Sequence, residues 1–84
     1  MPTQPTDTVP TQPYRIYTAN SLGSAIRHFR LEAGLTQAEL AEQVGLNRTY
    51  LSELESGKET EQILRILRVL RTLGARMTID KADW

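Results

Sequence analysis

Apolar residues recur at helical spacing in four stretches of the chain, separated by glycine and polar residues. The first stretch places its apolar side chains three or four positions apart, at Leu22, Ile26 and Phe29. This period is typical of an amphipathic helix with one buried face. We predict that Asn20 or Ser21 caps this helix and that Gly34 ends it.

The second stretch starts with a capping-box pattern, Thr36 followed three residues later by Glu39. In this pattern the threonine hydroxyl accepts the glutamate amide, and the carboxylate reaches back to the threonine amide. The buried face predicted for this short helix consists of Leu40, Ala41 and Val44. Gly45 follows it and supplies the left-handed backbone position of a tight turn.

The third stretch follows that turn directly. Asn47 is the expected cap of its helix, and Gly57 marks its expected end. Its predicted buried face consists of Leu51 and Leu54. Two helices that cross at a steep angle need a small residue near the crossing point, and Ala41 meets this need. Residues 36–58 are therefore predicted to form a helix-turn-helix.

The fourth stretch, from Thr60 to Gly74, is more apolar than one packing face requires. The residues expected to cover the helix-turn-helix are Leu64, Leu67 and Leu70. The remaining apolar residues are Ile63, Ile66, Val69 and Leu73. Such a surplus on a small domain predicts a second buried surface, for which a homodimer interface is the simplest explanation.

Residues 75–80 alternate instead, with Ala75, Met77 and Ile79 on one side, which predicts a β-strand. A single strand needs a partner for its backbone groups. The candidates are Tyr14–Tyr17, the same strand in a second copy, or another protein. We favour the second copy, which adds Met77 and Ile79 to the dimer interface.

Composition narrows the function classes. The chain has 84 residues, no net charge and no cysteine. One small domain is therefore expected, without disulfides or a thiolate metal site. No apolar run is long enough to span a membrane and no signal-peptide pattern is present, so a cytoplasmic location is expected. Residues 1–13, rich in Pro, Thr and Gln, are expected to be disordered.

Candidate chemistry is sparse, which argues against an enzyme. His28 is the only histidine, and no glycine-rich phosphate loop is present. No cofactor or metal is expected. The carboxylates of Glu39, Glu42, Glu53 and Glu55 are explained as one helix cap and as charges on helix surfaces.

Three arginines of the fourth stretch recur at a spacing of three residues, Arg65, Arg68 and Arg71. They form either a solvated helix face or a contact for an acidic partner or phosphate. Trp84 either folds back onto its own dimer or inserts into another protein.

The unit from Thr36 to Lys58 resembles the helix-turn-helix of the phage-repressor (XRE) superfamily, in which the second helix enters the DNA major groove. Together with Tyr14–Tyr17, the Leu-rich fourth helix, the strand around Met77 and the terminal Trp84, it makes the chain resemble HipB-type antitoxins. The resemblance implies an all-α, lambda-repressor-like domain of four to five helices, with one C-terminal β-strand pairing across a homodimer. It also implies a bacterial, nucleoid-associated autorepressor that binds palindromic operator DNA and neutralises a HipA-type serine/threonine kinase toxin.

The same resemblance assigns site residues. Bases in the major groove are expected to be read by Asn47, Arg48, Thr49 and Ser52. Phosphates are expected to be contacted by Thr36, Gln37, Tyr50 and Lys58. Arg48 is the principal candidate, because a guanidinium can bond guanine O6 and N7 bidentately. Trp84 is the expected toxin contact, and Glu53 either accepts from cytosine or repels phosphate.

The predicted organisation has four parts. A Pro-rich tail at 1–13 precedes a DNA-binding domain at 14–74, a dimerisation strand at 75–80 and a C-terminal tail at 81–84. Two alternative functions remain open at this point, a stand-alone repressor of the phage type and a toxin inhibitor that has lost DNA binding.

Overall fold

The computed structural model describes residues 14–82, which form four helices and a two-stranded sheet. In chain order these are β1 (Tyr14–Ile16), α1 (Ala19–Glu32), α2 (Gln37–Val44), α3 (Arg48–Glu55), α4 (Glu61–Thr72) and β2 (Met77–Ile79). The predicted class, a mainly helical domain with a C-terminal strand, is confirmed. The predictions for residues 1–13 and for Trp84 lie outside the described residues.

Threonine caps three of the four helices. At the start of α1, the Thr18 hydroxyl accepts the Ser21 amide at 3.1 Å, and the Ser21 hydroxyl accepts the Thr18 amide at 2.9 Å. Thr18 is therefore the cap, and the prediction of Asn20 or Ser21 is corrected. Ser21 still contributes, because its hydroxyl takes the role that a glutamate plays in the usual capping box. Thr36 and Thr60 cap α2 and α4.

Helix α1 lies between the helix-turn-helix and a second layer formed by α4 and the sheet. On one side, α1 approaches α3 so closely that a Cβ on Gly23 would lie 2.4 Å from the backbone oxygen of Leu54. Gly23 is therefore required by the packing of the two helices. On the other side, Ala25 packs with Ile16 of β1 and Leu67 of α4 in the buried core.

Strand β2 pairs antiparallel with β1 of the same chain, with Tyr14 opposite Ile79 and Ile16 opposite Met77. The expectation that β2 pairs with its copy in a second chain is therefore corrected, since the N-terminal segment is its partner. Pairing within the chain is favoured because Met77 and Ile79 also pack against the core that contains Ile16. The outer edge of β2 has no strand beside it among residues 14–82.

Helix α4 turns Ile63 and Leu67 toward the core and leaves Leu64 exposed. Ile63 was predicted for the free face and Leu64 for the face that covers the helix-turn-helix, and both predictions are wrong. Neighbouring residues of a helix point about 100° apart, so the rotation of α4 about its own axis decides which of the two faces the core. Leu67 is buried as predicted, but it packs with Ile16 of β1 and Ala25 of α1 rather than with the helix-turn-helix. None of the described helices is both long and apolar enough to cross a membrane.

Besides Leu64, three large apolar side chains on α4 and at its C-cap are exposed. Ile66, Val69 and Leu73 are 45%, 56% and 72% exposed, and we call them the α4 stripe. Their spacing places them on one face of the helix, away from Leu67. A free apolar face of this kind is the part of the predicted dimer interface that the single chain leaves available.

Candidate nucleic-acid interface

Helices α2 and α3 form the predicted helix-turn-helix. Gly45 adopts a left-handed φ of 74° between them, a conformation that glycine reaches without strain. Ala41 and Leu51 are buried, as expected for the residues that pack the two helices together. Val44, predicted for the same buried face, is exposed instead. It is the last residue of α2, whereas the buried contact of this helix is centred on Ala41 one turn earlier.

The predicted base-reading residues lie together on α3. Arg48, Thr49 and Ser52 are all exposed within its first two turns. Asn47 is exposed too, but its side-chain oxygen accepts the amide of Thr49 at 2.7 Å. Asn47 is therefore a helix cap, and its amide nitrogen is the group it can offer to a ligand.

A buried ion pair fixes α3 against α1. The Arg30 guanidinium donates to both carboxylate oxygens of Glu55, at 2.6 Å from Nε and 3.0 Å from Nη2. The two side chains are only 8% and 3% exposed. The hydrogen bond from Arg30 holds the pKa of Glu55 below its usual value, although burial acts in the opposite sense. Helix α3 is thus anchored to α1 at its C-terminal end.

Gln37 belongs to the same network, which bears on its predicted phosphate contact. Its side-chain nitrogen donates to the Glu55 carboxylate at 3.1 Å. The phosphate contact therefore stays a prediction for the backbone N–H groups at the start of α2, where a helix N-terminus favours anions. The side chain of Gln37 instead joins α2 to α3.

Arg27 is not among the predicted site residues, yet it borders this site. A polar groove of about 290 Å³ is lined by Arg27, Arg30, Gln37, Ser52, Glu55 and Ser56. Since Arg30 is bound to Glu55, Arg27 is the cation that this groove presents to a ligand. A signal was available in the sequence, because Arg27 precedes Arg30 by three residues and so lies on the same face of α1.

Lys58 and Tyr50 border a small pocket beside α3, together with Glu53. The ammonium group of Lys58 lies 3.2 Å from the Glu53 carboxylate, and both side chains are about half exposed. In the chain alone, Glu53 therefore neutralises Lys58. Exposed ion pairs of this kind contribute about 0–1 kcal/mol to stability. Lys58 can therefore exchange Glu53 for a phosphate at little cost in free energy.

Thr36 and Glu39 form the predicted capping box. The Thr36 hydroxyl accepts the Glu39 amide at 3.0 Å, and the Glu39 carboxylate accepts the Thr36 amide at 2.8 Å. The backbone hydrogen bond from Thr36 lowers the pKa of Glu39. A phosphate that approached Thr36 would meet this carboxylate, so the structure weakens the argument for the predicted Thr36 contact.

The two ends of the domain differ in charge. The helix-turn-helix at 36–58 contains Arg48 and Lys58 against four glutamates. Residues 61–82, which include α4 and β2, contain five basic residues and two acidic residues. The site therefore offers few cations to phosphates, and sequence-independent binding by one subunit is expected to be weak. Within the described residues, no three His, Asp or Glu side chains converge in a way that could hold a metal ion.

Comparison with known proteins shows what the chain is related to. The family model for the helix-turn-helix domain matches residues 21–78. An uncharacterised HTH-type transcriptional regulator of Sinorhizobium fredii is 42% identical over 65 residues, which cover 77% of this chain and 86% of that protein. The ImmF control region 10 kDa protein of Bacillus phage phi105 is 46% identical over 60 residues, covering 71% of this chain and 67% of that protein.

HipB proteins are also among the relatives. Antitoxin HipB of Escherichia coli K12 is 28% identical over 68 residues, which cover 81% of this chain and 77% of HipB. The fold matches a solved structure of a HipB variant in complex with an O2 20mer, with a TM-score of 0.52 and 29% identity. That match covers 81% of this chain and 94% of the HipB chain. The predicted resemblance to HipB-type proteins is therefore confirmed in both sequence and fold.

Proposed function

Because the chain belongs to the helix-turn-helix domain family and resembles the HipB antitoxins, we propose that it is an autorepressor and antitoxin. In this proposal a homodimer binds palindromic operator DNA in its own promoter. Helix α3 of each subunit enters the major groove of one half-site. The same dimer neutralises a HipA-type serine/threonine kinase toxin.

The observation that best supports DNA binding is the arrangement of α3. Leu51 and Glu55 fix one side of this helix in the protein, and Arg48, Thr49 and Ser52 are exposed. Arg48 is the first residue of α3, and N-terminal residues of recognition helices contact base edges. We assign a bidentate guanine contact to Arg48 and a thymine methyl contact to Thr49.

Phosphate contacts are proposed for the residues around α3. Asn47 and Ser52 bind bases or phosphate with their polar side chains. Arg27 is added to Tyr50 and Lys58, because it presents a cation to the groove between α1 and α3. Contacts of this kind position the protein on the duplex but carry no sequence information.

A mobility shift with the DNA immediately upstream of the gene tests this proposal. A bidentate base contact is worth about 1–3 kcal/mol in each half-site, so Arg48→Ala is expected to weaken binding by a dimer about thirtyfold or more. Arg68→Ala is the matched control, because Arg68 is an exposed arginine on α4. Equal losses in both variants, or no shift with a folded wild-type dimer, would contradict operator binding through α3.

The partner proposals rest on different support. The exposed α4 stripe supports a homodimer, since one chain leaves these three apolar side chains in water. Toxin neutralisation is supported by the resemblance to HipB, with Trp84 as the proposed contact. Its test is inhibition of a HipA-type kinase by the purified dimer, and a kinase that stays fully active in a large excess of dimer contradicts it.

A further inference from the structure

An apolar pocket of about 300 Å³ opens between α1, α2 and the end of β2. Its apolar lining comes from Ile26, Phe29, Ala33, Leu35, Leu40 and Ile79. Arg30 also borders it, but the guanidinium is held by Glu55 and by the carbonyl of Leu35. When an apolar group displaces the water from an open pocket with such a lining, apolar surface is buried and the protein is stabilised.

The chain itself leads from this pocket to a suitable group. Ile79 is the last residue of β2 and forms part of the pocket wall. Trp84 follows five residues later and is the single tryptophan of the sequence. Five residues of extended chain reach at most about 18 Å, so the indole can fold back to a wall that contains Ile79.

We propose that the side chain of Trp84 docks in this pocket of its own chain. Large aromatic side chains bury about 150–250 Å² each and are the strongest apolar anchors that a chain can supply. The open side of the pocket lets the indole N–H keep a hydrogen bond to water, so docking leaves no buried donor unsatisfied.

Other occupants fit less well. Residues 1–13 join the sheet at the same end, because Tyr14 lies opposite Ile79, but apart from proline they offer only Met1 and Val9 as apolar side chains. A second pocket of about 280 Å³ lies near the other end of β2 and is bordered by Arg71 and Arg76. The pocket beside Ile79 is therefore both the nearer and the more apolar site for an indole.

This inference goes beyond the proposed function and stands without it. Docking would give Trp84 a position in the free protein, on the side of α1 where Phe29 and Ala33 lie. Where Trp84 also contacts a protein partner, that partner has to withdraw the indole first. Pocket and partner then compete for one side chain, and the strength of docking sets how readily the partner is captured.

Tryptophan fluorescence of the full-length chain tests the proposal, because Trp84 alone gives the signal. We expect a blue-shifted emission and several-fold weaker acrylamide quenching in the folded protein than in the chain unfolded by guanidinium. Ala33→Leu fills the pocket from an exposed position and is expected to shift the emission to the red. Ala75→Leu is the matched control, because Ala75 is also exposed but lines the second pocket.

Three results would overturn the proposal. The first is an emission maximum equal to that of the unfolded chain. The second is a red shift with Ala75→Leu instead of Ala33→Leu, in variants that circular dichroism shows to be folded. The third is a blue shift lost on dilution as the dimer dissociates, which places the indole on a second copy. Nuclear Overhauser effects from the indole protons to the methyl groups of Ile26 and Leu40 provide a direct check in the wild type.

Discussion

A buried charged pair joins α3 to α1. Arg30 on α1 and Glu55 at the end of α3 are 25 residues apart in sequence, and both are almost fully buried. Burying two charges is costly, and good geometry with further hydrogen bonds is needed to offset that cost. Here the two-point contact, the Leu35 carbonyl and the Gln37 side chain together satisfy both groups. The position of α3, and with it that of its exposed face, therefore depends on a residue of α1.

Removing one partner of this pair is expected to destabilise the fold. Arg30→Met leaves the Glu55 carboxylate buried without its cation and is expected to lower the free energy of unfolding by about 3–5 kcal/mol. Urea denaturation followed by circular dichroism measures this change. Arg65→Met is the control, because the pair of Arg65 with Glu61 is mostly exposed and is expected to contribute less than about 1 kcal/mol. Equal losses in the two variants would contradict a special role for the buried pair.

The same pair makes stability depend on acid. The pKa of Glu55 is lower in the folded state than in the unfolded state, so the folded protein binds this proton less readily. Its stabilisation is fully present above the unfolded pKa of about 4.3 and is lost as the pH falls through the folded pKa. Arg30→Met removes the largest cause of the lowered pKa, and burial is then opposed only by the hydrogen bond from Gln37 and the charge of Arg27, so this contribution is expected to shrink. An unchanged dependence of the unfolding free energy on pH would refute this account.

Features local to one element were predictable from the sequence. The Thr36–Glu39 capping box, the left-handed turn at Gly45 and the Asn47 cap all occur where the sequence places them. Each depends on a few neighbouring residues whose chemistry allows one arrangement. The start of α1 was displaced to Thr18 because serine there replaces the acidic residue of the usual capping box.

Features that depend on how elements meet were not predictable. An alternating pattern identifies β2 but does not indicate which strand pairs with it. The pairing with β1 depends on the positions to which α1 and α4 bring the two strands. The choice between Ile63 and Leu64 depends on the rotation of α4 in the same way. Glu55 was assigned to the helix surface, because nothing close to it in sequence marks Arg30 as its partner.

Two substitutions of Asn47 separate its role as the cap of α3 from its proposed contact with DNA. Asn47→Ala removes the acceptor for the Thr49 amide and is expected to cost about 1 kcal/mol of stability. Asn47→Asp keeps that acceptor and is expected to retain stability. It nevertheless adds a negative charge and removes the amide donors, so operator binding is expected to fall. Thermal unfolding and mobility shifts distinguish the two effects, and unchanged binding by Asn47→Asp would exclude Asn47 as a DNA contact.

The whole molecule separates its candidate surfaces into two layers. The helix-turn-helix lies on one side of α1, and α4 with the sheet lies on the other. The first layer is acidic in composition and the second is basic, so one subunit has little electrostatic hold on DNA through α3. Specific binding is then expected to require two half-sites held at a fixed spacing, which is what a twofold dimer provides.

The α4 stripe is the surface that can join two subunits, and Val69 is its middle member. Val69→Glu is expected to convert the proposed dimer to a folded monomer in sedimentation equilibrium. Leu31→Glu is the matched control, because Leu31 is 53% exposed and Val69 is 56% exposed, and Leu31 lies on α1. The control is expected to remain dimeric.

Operator binding then reveals whether dimerisation supports recognition. The Val69→Glu monomer keeps α3 intact, so a large loss of operator affinity would have to come from losing the second half-site, since no residue assigned to DNA has changed. Operator binding by the monomer as tight as that of the wild type would show that one subunit suffices. A variant that stays dimeric would instead place the interface elsewhere, with the unpaired outer edge of β2 as the next surface to test.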